Sequence, residues 1–286
     1  MEQDGEAYSV NITSQCRKRT NLTAMQIEHL KRIEISLPFV ADLAHAYLYL
    51  YVQTKEPGKM LVLKHYRPHT FFSEVELTGE GAFVSTLEEP LIAAAFAKGK
   101  FIQGQREWRF GINLEMYVQP IKCGNDVIGV VSLETGHSYA NSSNYHQLMD
   151  TALYLLDYAK KPLDKDEFHP MSPGTGIIIA DSNNRIVFAN LSANRIYRAL
   201  GIASLVGCRM QDRELSAMLH KETIDSSRPY EREIQIRDFV LVQRDIKLEE
   251  AGMLKRRIML LSDVSELRKK EREIKIKSAV IQEIHH

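Results

Sequence analysis

The 286-residue sequence predicts an α+β protein of two domains, and three observations predict it. Apolar, strand-like runs are joined by short turns, as in antiparallel hairpins, and not by long crossovers. Helical periodicity recurs between those hairpins. Residues 160–176 carry three prolines and almost no periodicity, and after them the pattern restarts. The order helix, hairpin, helix, hairpin, helix before that break describes an antiparallel sheet with helices on one face.

Residues 1–21 are expected to form a polar N-terminal arm. Over 22–46 apolar residues recur at helical spacing (Met25, Leu30, Ile33, Leu37), with Thr23 as N-cap and Pro38 splitting the run into two helices. Residues 47–53 read as a strand, Glu56-Pro57-Gly58-Lys59 as a turn and 60–66 as a second strand. Residues 87–98 form a helix with Pro90 in its first turn, where a missing N–H costs little, and Gly99 at its end. Trp108 then falls in a loop. Residues 114–122 and 127–134 make a second hairpin through Gly124-Asn125-Asp126, and 145–158 a closing helix. The first domain therefore spans 22–160 and a linker 161–175.

The second domain, 176–262, starts with strands at 176–180 and 185–189 around the turn 181–184, followed by a short helix at 190–200. Residues 232–236, 239–248 and 257–261 read as strands. From Asp263 a helix is expected to run to His286. Leu267, Ile274 and Ile281 recur by sevens along it, which is a coiled-coil-like seam, and a parallel homodimer is expected through this helix.

Composition narrows the class. The 37 basic and 37 acidic side chains cancel, so charge gives no case for nucleic acid or an anionic membrane as partner. Three scattered cysteines, Cys16, Cys123 and Cys208, make neither a disulfide framework nor metal-ligand spacing. The first twenty residues lack the apolar core of a signal peptide. The most apolar stretch, 39–52, carries Asp42 and His45 and is shorter than the roughly 20 residues of a spanning helix. A cytoplasmic protein is the expectation.

Local motifs in both domains and at the end of the chain carry a resemblance. In the second domain they are G-I-I-I-A-D-S-N-N-R-I-V-F-A-N (176–190), L-V-G-C-R-M (205–210) and D-V-S-E-L-R (263–268). These resemble a PAS domain, the last being similar to the exit motif that passes its sheet on to a signalling helix. An Asp there caps free N–H groups and meets a favourable dipole, so Asp263, with the seam residues, is assigned to signal transmission. In the first domain Y-R-P (66–68), E-P-L-I-A-A-A-F (89–96) and V-I-G-V-V-S (127–132) are similar to the GAF-like domain of PdtaS-type sensor histidine kinases. The terminal I-Q-E-I-H-H (281–286) resembles the opening of that family's phosphoacceptor box.

The resemblance implies a two-component sensor histidine kinase. A signal, an unknown small molecule or a partner, would act on the GAF-like or PAS domain and control ATP-dependent autophosphorylation on a histidine. Transfer to an Asp of a response regulator would follow. His286 is the phosphoacceptor on this reading, with His285 the alternative, because the family's modified His directly precedes an Arg. A neutral, exposed imidazole suits the task, and Glu283, three residues earlier on the same helical face, would orient the ring. The two histidines also match the stub of an affinity tag. No cofactor is expected in this chain. ATP and Mg belong to a kinase domain that does not follow His286 in this sequence, so the chain alone is not expected to phosphorylate itself. The alternative is a non-enzymatic GAF–PAS receptor coupled to a different output.

Other candidates carry less chemistry. Arg67, Arg106 and Trp108 are the ligand-binding candidates, since Trp and Arg together favour an anionic or aromatic molecule. The bland reading is a loop with solvated arginines. Cys208 reads as a small core residue and not as a flavin-reactive thiol. His220 reads as a surface histidine and not a haem ligand. His65, His69, His137 and Cys123 show no metal spacing, and no metal site is expected. The run Arg268-Lys269-Lys270 interleaves with Glu266, Glu271 and Glu273 as a solvated helix face.

Overall fold

The computed structural model describes residues 11–70, 78–109, 111–136, 144–158, 164–212, 215, 223–224 and 231–284. Two compact units divide the chain at Met171/Ser172. Both contain an antiparallel six-stranded sheet, which makes the protein α+β.

The first unit opens with α1 (Ile12–Arg19), where a polar arm is expected. Asn11 caps it by accepting from the Ser14 N–H at 3.1 Å, and Ile12 and Cys16, one turn apart, are both buried. Helix α2 (Ala24–Glu34) begins with a capping box of Thr23 and Gln26. Helix α3 (Leu37–Ala44) carries Pro38 in its first turn, so the proline separates the two helices as its chemistry requires. Strands β1 (Tyr47–Gln53), β2 (Lys59–Tyr66) and β3 (Phe83–Ser85) follow, then α4 (Pro90–Lys98), β4 (Ile102–Arg109), β5 (Ile112–Cys123), β6 (Asp126–Gly136) and α5 (Tyr145–Tyr158). The sheet order is β3-β2-β1-β6-β5-β4.

Helices lie on both faces of this sheet, and not on one as its element order implied. The β1 sequence Tyr-Leu-Tyr-Leu-Tyr-Val is buried throughout. Tyr47, Tyr49 and Tyr51 point to one side and pack with Ile92, Ala95 and Phe96 of α4. Leu50 points to the other side, where Leu30 of α2 closes on Gly129 so tightly that a Cβ there would meet it at 3.2 Å. A strand buried on both faces loses the alternation that would have revealed the second layer.

Two further corrections concern polar or irregular segments. Trp108 belongs to β4 by its backbone, not to a loop. That strand alternates exposed and half-buried residues as an edge strand, and its polar sequence hid the pairing with β5. Residues 164–171, expected to belong to the linker 161–175, are docked on the first unit. Phe168 and Met171 are buried, and the Phe168 ring meets Phe39 edge-on at 5.5 Å. Single apolar anchors between prolines leave no periodic signal.

The second unit runs β7 (Gly176–Ala180), β8 (Ile186–Ala189), α6 (Leu191–Ala199), β9 (Thr223–Ile224), β10 (Glu231–Ile236), β11 (Phe239–Glu250), β12 (Met253–Asp263) and α7 (Ser265–Ile284). Its sheet order is β8-β7-β12-β11-β10-β9. Asn190 fixes the entry to α6. Its Oδ1 accepts from both Ala193 and Ile177 N–H groups at 2.9 Å. Gly176 lies so close to α6 that a Cβ would sit 3.0 Å from the Ala193 nitrogen. The core between helix and sheet is formed by Ile178, Ile196, Tyr197, Met210, Leu241, Met259 and Leu261.

Candidate functional site

Antiparallel register assembles a polar cluster within the α4-facing side of the first sheet. Tyr49 pairs with His65 of β2 and with Ser132 of β6, and Tyr47 pairs with Glu134. Paired residues share a face, so β1 carries this row across three strands. Arg106 enters from β4 and Glu89 from the N-terminus of α4. Arg106 Nη1 donates to Glu89 Oε1 at 2.5 Å, and its Nη2 donates to Glu134 Oε2. The other Glu134 oxygen accepts from the Ser132 hydroxyl at 2.7 Å. The triad therefore ties α4 to β4 and β6.

Burial dominates the electrostatics. Glu134 is 1% exposed, and desolvation outweighs Arg106 and Ser132, pushing its carboxyl up to about 7. Glu89 is raised for the same reason, with Arg106 opposing. The Tyr49 hydroxyl is pushed up by burial and then by the Glu134 charge. Burial lowers His65, opposed by Glu80. One guanidinium thus faces two carboxylates, and both of its terminal nitrogens are occupied. Such a site does not invite an anion. Arg106 Nε and His65 Nδ1, both buried, are among the atoms with no hydrogen-bond partner within the described residues.

Of the three arginine and tryptophan candidates, only Arg106 joins this cluster. Arg67 is exposed just beyond β2, where its charge acts on His65. The Trp108 side chain lies outside the described residues. Sequence reasoning missed Glu89, Glu134 and Ser132. The available signal was a carboxylate closing an otherwise apolar strand, since such a charge must find a partner. The histidines proposed and set aside as metal ligands are dispersed: His69 packs on Asp42, His65 lies beside Tyr49, and Cys123 ends the β5–β6 hairpin. His137 and His220 lie outside the described residues. Among the described residues no group of three His, Cys, Asp or Glu side chains is arranged to hold a metal. Cys208 is half-buried against the second core, with Sγ 3.5 Å from the Ser204 carbonyl.

A second constellation joins β12 to α7. Asp263 ends the strand, and the helix starts two residues later than expected. The Asp263 carboxylate accepts from the Ser265 N–H at 3.0 Å and from its hydroxyl at 2.6 Å. That hydroxyl accepts in turn from the Val240 N–H of β11 at 2.8 Å, and the Val264 N–H donates to the Val240 carbonyl. Arg268, one turn into the helix, grips Glu233 of β10 through Nε and Nη2 at 3.0 and 2.6 Å. Helix orientation is thereby tied to two strands. The seam residues are exposed, Leu267 within this first turn by 53% and Ile274 beyond it by 63%. Ile281 and Glu283 are helical by backbone only, and His285 and His286 lie outside the described residues.

Comparison with known proteins follows these two sites. Residues 12–152 match the family described as histidine kinase PdtaS, GAF domain. Over 94% of its length the chain is 22% identical to the sensor histidine kinase PdtaS of Mycobacterium tuberculosis. The identity and coverage are the same for PdtaS of Mycolicibacterium smegmatis. The chain spans 59% of the M. tuberculosis protein and 58% of the other. A solved structure described as the sensor region of a sensor histidine kinase superposes with a TM-score of 0.59 at 18% identity, covering 90% of this chain and 99% of that one. The resemblance to PdtaS-type kinases is thus borne out, and the first unit is GAF-like. No helix among the described residues is long and apolar enough to cross a membrane.

Proposed function

We propose that this chain is the sensory portion of a cytoplasmic two-component sensor histidine kinase, with a GAF-like domain, a PAS domain and a signalling helix in that order. The α4-facing side of the first sheet, or the interior of the second unit, receives a small-molecule signal. The change reaches α7 through the Asp263–Ser265–Arg268 junction. Two arrangements of a dimeric helix pair separated by a few kcal/mol suffice as a switch. In the longer protein, ATP with Mg phosphorylates His286, oriented by Glu283, and a response regulator takes the phosphoryl group. His285 is the alternative acceptor.

The observation that carries this reading is the junction itself. A helix whose first turn is bonded to two strands of its unit turns when those strands shift, which is what a transmission element needs. Its exposed Leu267 and Ile274, seven residues apart, fit a seam between two copies. The match of the first unit to the GAF domain of PdtaS histidine kinases supports a kinase output in the longer protein. The test joins the chain to a kinase domain and supplies labelled ATP. His286→Gln abolishes labelling on this reading, while His285→Gln retains it. Undiminished label in His286→Gln refutes the assignment.

A further inference from the structure

Asp42, in the second turn of α3, is completely buried, and its two oxygens serve two distant pieces of chain. Oδ1 accepts the main-chain N–H of His69, immediately after β2. Oδ2 accepts the N–H of Met171 at 2.7 Å, where the first unit ends. The His69 ring adds Nδ1 at 3.3 Å from both oxygens.

Each arm has its own second anchor. On the first, the Thr70 hydroxyl donates to the Asp42 carbonyl at 3.2 Å. Having given its hydrogen there, it accepts from His45 Nδ1 at 2.6 Å, which places the His45 proton on Nδ1. On the second, Phe168 packs edge-on against Phe39 of α3, and Met171 is buried. The first arm continues β2, which carries His65 on the α4-facing side. The second leads toward Ser172 and the second unit.

We propose that Asp42 is a positioning residue that couples these arms, so that release of the segment 67–70 after β2 loosens the exit segment 164–171, and the reverse. A buried carboxylate is tolerated only while enough donors surround it. Removing the donors of one arm raises the cost of keeping the charge inside, and the carboxylate then withdraws from the other arm too. Burial already holds this carboxyl above the usual carboxylate range against the pull of both amides. As a route for a signal, the device rests on the reading of the first unit as sensory. The coupling itself does not.

Amide hydrogen exchange on the whole chain tests it, with each arm perturbed and the opposite arm read. Thr70→Val removes an anchor of the first arm without touching Met171, and exchange in 164–171 accelerates by roughly tenfold. Phe168→Ala loosens the second arm, and exchange at His69 and Thr70 accelerates by a similar factor. In an Asp42→Asn background, where the amide no longer transmits the loss, adding Thr70→Val produces no further change in 164–171. The proposal is overturned if each variant loosens only its own arm, or if the far arm keeps its wild-type rate. Neither outcome requires ligand or phosphoryl transfer, so failure here is distinct from failure of the kinase reading. If Asp42→Asn does not fold, the two single-arm variants decide.

Discussion

The first unit keeps ionisable groups in its interior, with Asp42 in α3 and the Glu89–Arg106–Glu134 triad between α4 and the sheet. The second packs apolar side chains between α6 and its sheet, buries Arg244 on β11, and places Arg257–Asp245 and Arg268–Glu233 where they remain partly solvated. Buried charges couple strongly to protonation and to each other because little water screens them. Partly exposed pairs orient without contributing much stability. The contrast separates a core that holds a cluster of buried carboxylates from an apolar core under α6, whose unit orients a helix through a partly solvated pair.

The strongest way to break the contrast is Arg106→Ala, which leaves Glu134 buried without a cation. A loss of about 3–5 kcal/mol is expected, read by denaturant titration of the emission of the single tryptophan, Trp108, which reports on the first unit. A loss below about 1 kcal/mol would mean that the triad is solvated and the contrast false. Next in size is pH. Because Glu134 is raised from 4.5 to about 7, the folded protein binds an extra proton in that window. Its contribution is full below pH 4.5 and disappears as pH rises through about 7. Glu134 alone therefore contributes a fall approaching ~1.4 kcal/mol per pH unit. It is opposed below pH 6.5 by His45, which burial lowers to about 4 and which favours the folded state as pH rises. Glu134→Gln removes the falling contribution and leaves the rising one.

Gly176→Ala sharpens the comparison from the other side, because it challenges close packing and not charge. The added methyl meets the Ala193 backbone, and about 1–3 kcal/mol of stability in the second unit is lost, measured by hydrogen exchange in β7 and α6. Arg268→Ala, which removes a half-solvated pair, costs under about 1 kcal/mol. The first turn of α7 nevertheless exchanges faster, because its tie to Glu233 is gone. The smallest effect on folding is that of Ile274→Glu, within about 0.5 kcal/mol at so exposed a site. On the proposed pairing of α7, sedimentation shows a dimer for the parent chain and a monomer for this variant; equal mass for the two refutes the pairing.

Legibility followed the range of the signal. The hairpins at β1–β2 and β5–β6, the Thr23 cap and the break at Pro38 are written in a few adjacent residues, and they were read correctly. Helix α1 was missed because only Ile12 and Cys16 mark its buried face within a polar stretch. Strand β4 was missed because an edge strand needs few apolar residues. At the exit, D-V-S-E-L-R announced the capping Asp263. The bond from Ser265 to Val240 and the grip of Arg268 on Glu233 needed the sheet to be built first.

The sequence by itself determined most element types, their order and the resemblance to PdtaS-type sensor kinases, because turn chemistry, capping and periodicity act over a few residues. Tertiary structure alone decided that Arg106 is neutralised by Glu89 and Glu134, and not left open to an anion. It also decided that Asp42 holds His69 and Met171 together. Those partners are separated by long stretches of chain and meet only through strand register and helix packing. Burial then sets how strongly they interact, and no local pattern encodes it.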